Sequence, residues 1–141
     1  MKASDLMTAP AVTIGPTATA FEAARLMAQE AVGCVLVTED GRLLGIVTDR
    51  DLTVRGLAHG ADPERPVLDL MTVPVVTVDA DADLDTAYRT FRSTGVRRLP
   101  VIDGDRPVGV LAVDDLLRDV VQRLLDLLMP VSRSALPETA A

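Results

Sequence analysis

One stretch of this chain is written twice, and that constrains the fold more than any single motif does. Asp5-Leu6-Met7-Thr8-Ala9-Pro10-Ala11-Val12-Thr13 returns as Asp69-Leu70-Met71-Thr72-Val73-Pro74-Val75-Val76-Thr77, an offset of 64 residues. Held without a gap from 5 to 52, the offset gives 16 identities in 48 positions, among them Ala23/Ala87, Arg25/Arg89, Val37/Val101, Arg42/Arg106, Gly45/Gly109, Asp51/Asp115 and Leu52/Leu116. A repeat of this length means that one supersecondary unit occurs twice and that neither copy has to bury its apolar face alone.

The hydrophobic period changes in the same order within each copy. Val12-Thr13-Ile14 is a short β-rich run ended by Gly15-Pro16. Thr17 or Thr19 then caps a helix whose apolar positions Ala20, Ala23, Ala24, Met27 and Ala28 follow the 3.6-residue period, and Gly33 is expected to stop it. Two apolar runs follow, Cys34 to Val37 and Leu43 to Val47, separated by a hairpin turn at Glu39-Asp40-Gly41. Thr48 or Asp49 opens a second helix. The second copy repeats this as a strand over 75–78, a helix from about Asp83 to Ser93, strands over 99–102 and 108–111 with a turn at Asp103-Gly104-Asp105, and a helix from Val113.

The expected fold is therefore α/β, two β-α-β-β-α units packed face to face with pseudo-twofold symmetry. The expected boundaries are 1–56 for the first unit, 57–67 for a Gly-, Pro- and charge-rich linker, 68–128 for the second unit and 129–141 for a flexible tail. The last helix carries Leu116, Val120, Leu124, Leu127 and Leu128 along one stripe, and Met129-Pro130 is expected to end it.

Composition narrows the function. Phe21, Tyr88 and Phe91 are the only aromatic residues and the net charge is -7. Stacking on single-stranded nucleic acid needs aromatic platforms, and duplex binding needs clustered positive charge, so neither is expected. Cys34 is the only cysteine, which points to a reducing, cytoplasmic setting. No apolar run approaches the ~20 residues of a membrane span, and the first residues do not read as a signal peptide.

The motifs Asp-Leu-Met-Thr-x-Pro-x-Val-Thr, Gly95-Val96-Arg97-Arg98-Leu99-Pro100-Val101 and Gly45-Ile46-Val47-Thr48-Asp49-Arg50-Asp51-Leu52 together resemble a tandem pair of cystathionine-β-synthase (CBS) domains, a Bateman module. The resemblance covers about residues 3 to 128. Thr48-Asp49-Arg50-Asp51, with Arg55-Gly56-Leu57-Ala58 and Asp62-Pro63, is similar to the actinobacterial hypoxic-response members of that family.

That resemblance implies a non-catalytic regulatory module with an adenine nucleotide (AMP, ADP, ATP or a related adenosyl ligand) in a cleft between the copies. Carried over position by position, Thr48 contacts phosphate or ribose, Asp51 holds the ribose diol, and Ile46 and Val47 supply apolar contact. A carboxylate at this place can accept both ribose hydroxyl protons, and a helix start favours phosphate. Thr48 and Asp51 also fit a plainer role, capping and charging the helix start. Across the pseudo-twofold axis, Arg97 and Arg98 fall beside Thr48 and Asp51 and suit an oxyanion. Successive strand-entry residues point in opposite directions, which leaves open that only one of the two arginines reaches the ligand. Arg50 lies near the axis as a further phosphate contact.

In the second copy Asp115 keeps the carboxylate and Ala112 replaces the hydroxyl. Loss of one hydrogen bond weakens binding there by roughly 0.5–1.5 kcal/mol, so the clefts are expected to be unequal. The alternative reading is a homodimeric interaction module without a physiological nucleotide, built on the leucine stripe. Either way a homodimer and an unidentified regulated protein are the expected partners.

No enzyme chemistry is expected. His59, the sole histidine, sits in the linker, and a metal site needs several donors. Cys34 reads as a small core residue with no base to activate it. Asp79, Asp81, Asp83 and Asp85 alternate, but the Gly and terminal Glu of an EF-hand loop are missing, so they read as capping charge. No cofactor is expected.

Overall fold

Each repeat forms a three-stranded sheet with helices on one face and the other repeat's sheet on the opposite face. These elements come from a computed structural model that describes the backbone of residues 1–135 and the side chains of residues 1–132. The first unit contains β1 (Thr13–Ile14), α2 (Ala20–Glu30), β2 (Cys34–Glu39) and β3 (Arg42–Thr48), preceded by the short helix α1 (Ala3–Leu6). A helix start at α3 (Asp49–Asp51) continues as a π-turn over Leu52–Gly56 and a 3-10 turn over Leu57–His59. The second unit contains β4 (Val78–Asp79), α4 (Leu84–Thr94), β5 (Arg98–Asp103), β6 (Arg106–Ala112) and the long α5 (Val113–Ala135). In each sheet the first strand pairs parallel with the second and the second antiparallel with the third.

Local chemistry explains most of these boundaries. Thr19 rather than Thr17 caps α2: its Oγ1 accepts from the Glu22 amide at 3.1 Å, and the Glu22 carboxylate accepts from the Thr19 amide at 3.3 Å. This capping box satisfies two of the amides that a helix start leaves open. The helix does not run to Gly33. It stops at Ala31, which takes the left-handed conformation (φ 53°), as does Gly95 at the equivalent end of α4 (φ 72°). The β2–β3 hairpin turns through Asp40 and Gly41, both at positive φ, between the paired residues Glu39 and Arg42, the two-residue turn whose twist suits a hairpin.

Both faces of each sheet are buried, so the strands read as continuous apolar runs. Val35, Val37 and Val47 point to the helix side with Ala23 and Met27. Cys34, Leu36 and Ile46 point to the opposite sheet with Val75 and Val110. In the second unit Leu99, Val101 and Leu111 face α4 and α5 through Leu84, Ala87 and Leu116.

The segment that opens each repeat docks on the other one. The Ala3 amide donates to the Ala82 carbonyl, and the Val67 amide donates to the Ala18 carbonyl, both at 2.8 Å. Ala3 is fully buried in the second unit's core and Val67 in the first unit's. Further on, Thr8 bridges to Val110 and Thr72 to Ile46. These contacts are related by the same offset of 64, so the internal symmetry of the sequence is also a symmetry of the packing. The stretch 57–67, read as a linker, begins in helical turns and ends in a core residue. A salt bridge between Arg42 and Asp105 (2.7 Å) joins the two hairpins.

Met129-Pro130 does not end the last helix, because α5 passes through Pro130 to Ala135. Proline's fixed φ is compatible with helix, and its cost is one missing hydrogen bond and local crowding. Of the expected tail, residues 129–135 are therefore helical and 136–141 lie outside the described residues.

Candidate functional site

The chemistry-bearing residues gather where β3 and β6 run into the helices that follow them. Thr48 caps α3, its Oγ1 accepting from the Asp51 amide at 3.1 Å while Asp51 Oδ2 accepts from the Thr48 amide at 2.9 Å. The capping role is thus realised, and it uses one carboxylate oxygen only. Asp51 Oδ1 lies 3.7 Å from Arg55 Nε, and the side chain is 14% exposed. Asp115 repeats the arrangement: Oδ2 accepts from the Ala112 amide at 2.8 Å, Oδ1 lies 3.6 Å from Arg118 Nη1, and the side chain is 15% exposed. Each repeat therefore presents one aspartate held from its own backbone, with its second oxygen beside an arginine.

Ile46 and Val47 divide between two environments because side chains alternate along a strand. Ile46 faces the opposite sheet beside Cys34 and Val110, and Val47 is fully buried on the helix side against Met27 and Val67. Arg50 is exposed. Its amide donates to the Asp49 carboxylate at 2.8 Å.

Among the described residues an open cleft of about 280 Å³ lies on the Asp115 side of the pseudo-twofold axis. Its walls are Thr8, Pro10 to Val12 and Val32 to Cys34 from the first repeat, and Arg98, Val110, Ala112, Asp114, Asp115 and Arg118 from the second. The sequence groups Arg98 with Thr48 and Asp51, and the structure brings its guanidinium into the wall of this other cleft. There it crosses the backbone at Gly33, where a β-carbon would collide with it, and pairs with Asp49 (Nη1 to Oδ1, 3.9 Å). Arg97 is exposed at the position equivalent to Gly33, and its carbonyl accepts from the Val113 amide just as the Gly33 carbonyl accepts from the Asp49 amide.

Register accounts for the asymmetry. Cys34 pairs across the sheet with Thr48, and Arg98 pairs with Ala112. One repeat places a small thiol opposite the hydroxyl, and the other places a long cation opposite a methyl group. Burial pushes the Cys34 thiol pKa up, with nearby Arg98 lowering it and Asp49 raising it.

Sequence reasoning missed Asp49, Arg55 and Arg118 as neighbours of these groups. The spacing held a signal for two of them, since Arg55 is four residues after Asp51 and Arg118 three after Asp115, both on one helical face. No group of three or more His, Cys, Asp or Glu side chains is placed to hold a metal among the described residues. Asp83 caps α4 and Asp81 pairs with Lys2. No described helix is long and apolar enough to cross a membrane.

Comparison with known proteins gives this arrangement a family. The CBS domain model matches residues 3–55 and 67–122. The chain is 38% identical over 112 residues to the CBS domain-containing protein YhcV of Bacillus subtilis, covering 79% of this chain and 80% of that one. It is 32% identical over 125 residues to Hypoxic response protein 1 of Mycobacterium tuberculosis, covering 87% of each. The crystal structure of Hypoxic Response Protein I with two coordinated zinc ions superposes with a TM-score of 0.76 at 33% identity, covering 84% of this chain and 98% of that one. CBSX2, solved in complex with AMP, superposes with a TM-score of 0.72 at 28% identity, covering 86% and 96%. Two copies of one α/β unit, each closed by the other's opening segment and each ending its third strand at a capped aspartate, identify the chain as a tandem pair of CBS domains.

Proposed function

We propose that this protein is a non-catalytic regulatory module that binds an adenine nucleotide, AMP, ADP, ATP or a related adenosyl ligand, in the clefts between its CBS repeats. One observation carries the reading. In both repeats an aspartate is fixed by the backbone just after the third strand, and Asp115 lines a groove to which both repeats contribute. A carboxylate so held can accept two hydrogen bonds from a ribose diol without losing its own orientation. Arginines beside these aspartates, Arg98 and Arg118 in the Asp115 cleft and Arg55 next to Asp51, suit phosphate. The AMP complex of CBSX2 supports the ligand class. The ligand acts by binding two arrangements of the repeats or protomers unequally, since it shifts an equilibrium only by that difference. The buried free thiol of Cys34 fits a reducing compartment such as the cytoplasm.

The test is thermal stabilisation by AMP, ADP and ATP of the wild type and of Asp51→Ala and Asp115→Ala. Each variant should lose the shift contributed by its own cleft, and a double variant should lose all of it. Unchanged shifts in the double variant would remove the site assignment.

A second reading is favoured by one observation, the exposure of the α5 stripe. Leu116 covers its own sheet, but Val120, Leu124, Leu127 and Leu128 are 43–66% exposed. A homodimer formed through this face, or a regulated protein held on it, accounts for that stripe whether or not a nucleotide binds. A chain that no adenine nucleotide stabilises and that is dimeric in solution would favour this reading over the first.

A further inference from the structure

The Arg98–Asp49 pair ties together residues of different clefts. Arg98 belongs to β5 and lines the Asp115 cleft, whereas Asp49 follows Thr48 at the start of α3. The guanidinium reaches Asp49 only because Gly33 has no side chain. A β-carbon there would collide with Arg98 and stand 3.3 Å from Asp49 Oδ2. At 3.9 Å the contact is an ion pair without hydrogen-bond geometry, and the side chains are 34% and 65% exposed. An ion pair this open is weak and exchangeable. A phosphate oxygen meeting the same guanidinium forms short, charge-assisted and often bidentate hydrogen bonds.

The charges of the cleft favour such an exchange. Asp114 and Asp115 stand in its wall against Arg98 and Arg118, and Arg118 is already beside Asp115. While Asp49 holds Arg98, no cation of the wall is left uncompensated for an incoming anion. Ala112 offers no hydroxyl in place of the threonine of the other repeat.

We propose that Asp49 is a built-in competitor for Arg98 that lowers the preference of the Asp115 cleft for ligands carrying a phosphate, which must displace it, over the corresponding uncharged nucleoside, which need not. Asp49 is on this account a specificity-determining residue that touches no part of the ligand. The nucleoside portion of the ligand rests on the adenine reading given above, and the exchange at Arg98 does not.

The experiment is calorimetric titration of the full chain carrying Asp51→Ala, so that the Asp115 cleft is read alone, with AMP and with adenosine. Adding Asp49→Asn should tighten AMP about two- to fivefold, the worth of an open ion pair, and leave adenosine unchanged. Adding Arg98→Gln should weaken AMP by about tenfold and erase the effect of Asp49→Asn in the combined variant, as a double-mutant cycle requires of coupled residues. An equal change for AMP and adenosine, no change with AMP, or a full Asp49→Asn effect without Arg98 overturns the proposal while the adenine reading stands. If neither compound binds, the adenine reading falls, and inorganic pyrophosphate becomes the probe, followed by the NMR signal of the Arg98 Nε–H. A shift of that signal that saturates at lower pyrophosphate in Asp49→Asn sustains the competition, and a signal that does not move overturns it.

Discussion

The thioether of Met7 rests against the backbone of Gly109, so the segment that opens the first repeat seals the third strand of the second. A β-carbon at Gly109 would stand 2.6 Å from Met7 Sδ and 2.7 Å from the Thr8 carbonyl oxygen. Met71 packs on Gly45 in the same way, with Sδ 2.5 Å from the corresponding position.

The two glycines should not tolerate alanine equally. At Gly45 the atoms in the way belong to the flexible side chain of Met71, and at Gly109 one of them is main chain. Gly45→Ala is expected to cost about 1 kcal/mol and Gly109→Ala about 3 kcal/mol, within the range of overpacked cores. Shortening Met71 should rescue the first, whereas shortening Met7 should not rescue the second. Urea denaturation of the four proteins measures this, and equal losses would show that the Thr8 carbonyl yields as readily as a side chain.

The apolar face of α5 should be an interface between copies. Leu117, Val120, Leu124, Leu127 and Val131 recur at alternating spacings of three and four, the heptad spacing of a helix seam, and each is 43–66% exposed. With Val121, Leu125, Leu128 and Met129 they expose on the order of 800 Å² per chain, about what a standard interface takes from each partner. Light scattering should find a dimer, and Leu124→Glu together with Leu128→Glu should make it monomeric without unfolding it. A wild-type monomer at micromolar concentration would exclude this use of the stripe.

Acid should weaken the second unit through Asp83. Its carboxylate accepts from the Thr86 amide and hydroxyl, both at 2.9 Å, and the amide first, then the hydroxyl, hold it below the ordinary aspartate value of 3.8. A group whose folded pKa is depressed contributes stability above its unfolded value and loses it as pH falls through the folded one. The melting temperature of Asp83→Ala should therefore lie below that of the wild type at neutral pH, and the gap should close as the pH drops past 3.8. A gap that persists in strong acid would mean that the charge of Asp83 plays no part.

Cys34 offers a reporter of the Asp115 cleft, whose wall it forms. Burial raises its pKa and Arg98 opposes this, so little thiolate exists at neutral pH and alkylation is slow. Iodoacetamide should label it far more slowly in the folded chain than in denaturant, and Arg98→Gln should slow labelling further. An increase on losing Arg98 would show that the arginine shields the thiol more than it ionises it.

Much of this molecule was legible in one dimension. The offset of 64, the order of strands and helices, the hairpin at Asp40-Gly41 and the aspartates at 51 and 115 all follow from periodicity, turn chemistry and capping, which act over a few residues. Ala31 in place of Gly33 at the end of α2, and Pro130 inside α5, departed from those rules because neighbouring turns decide whether a helix stops. Tertiary structure alone decided that Ala3 and Val67 fill each other's repeats and that Arg98 turns toward Gly33 and Asp49. Those outcomes depend on which surfaces meet across the pseudo-twofold axis, and residues far apart in the chain meet there only after both sheets have formed.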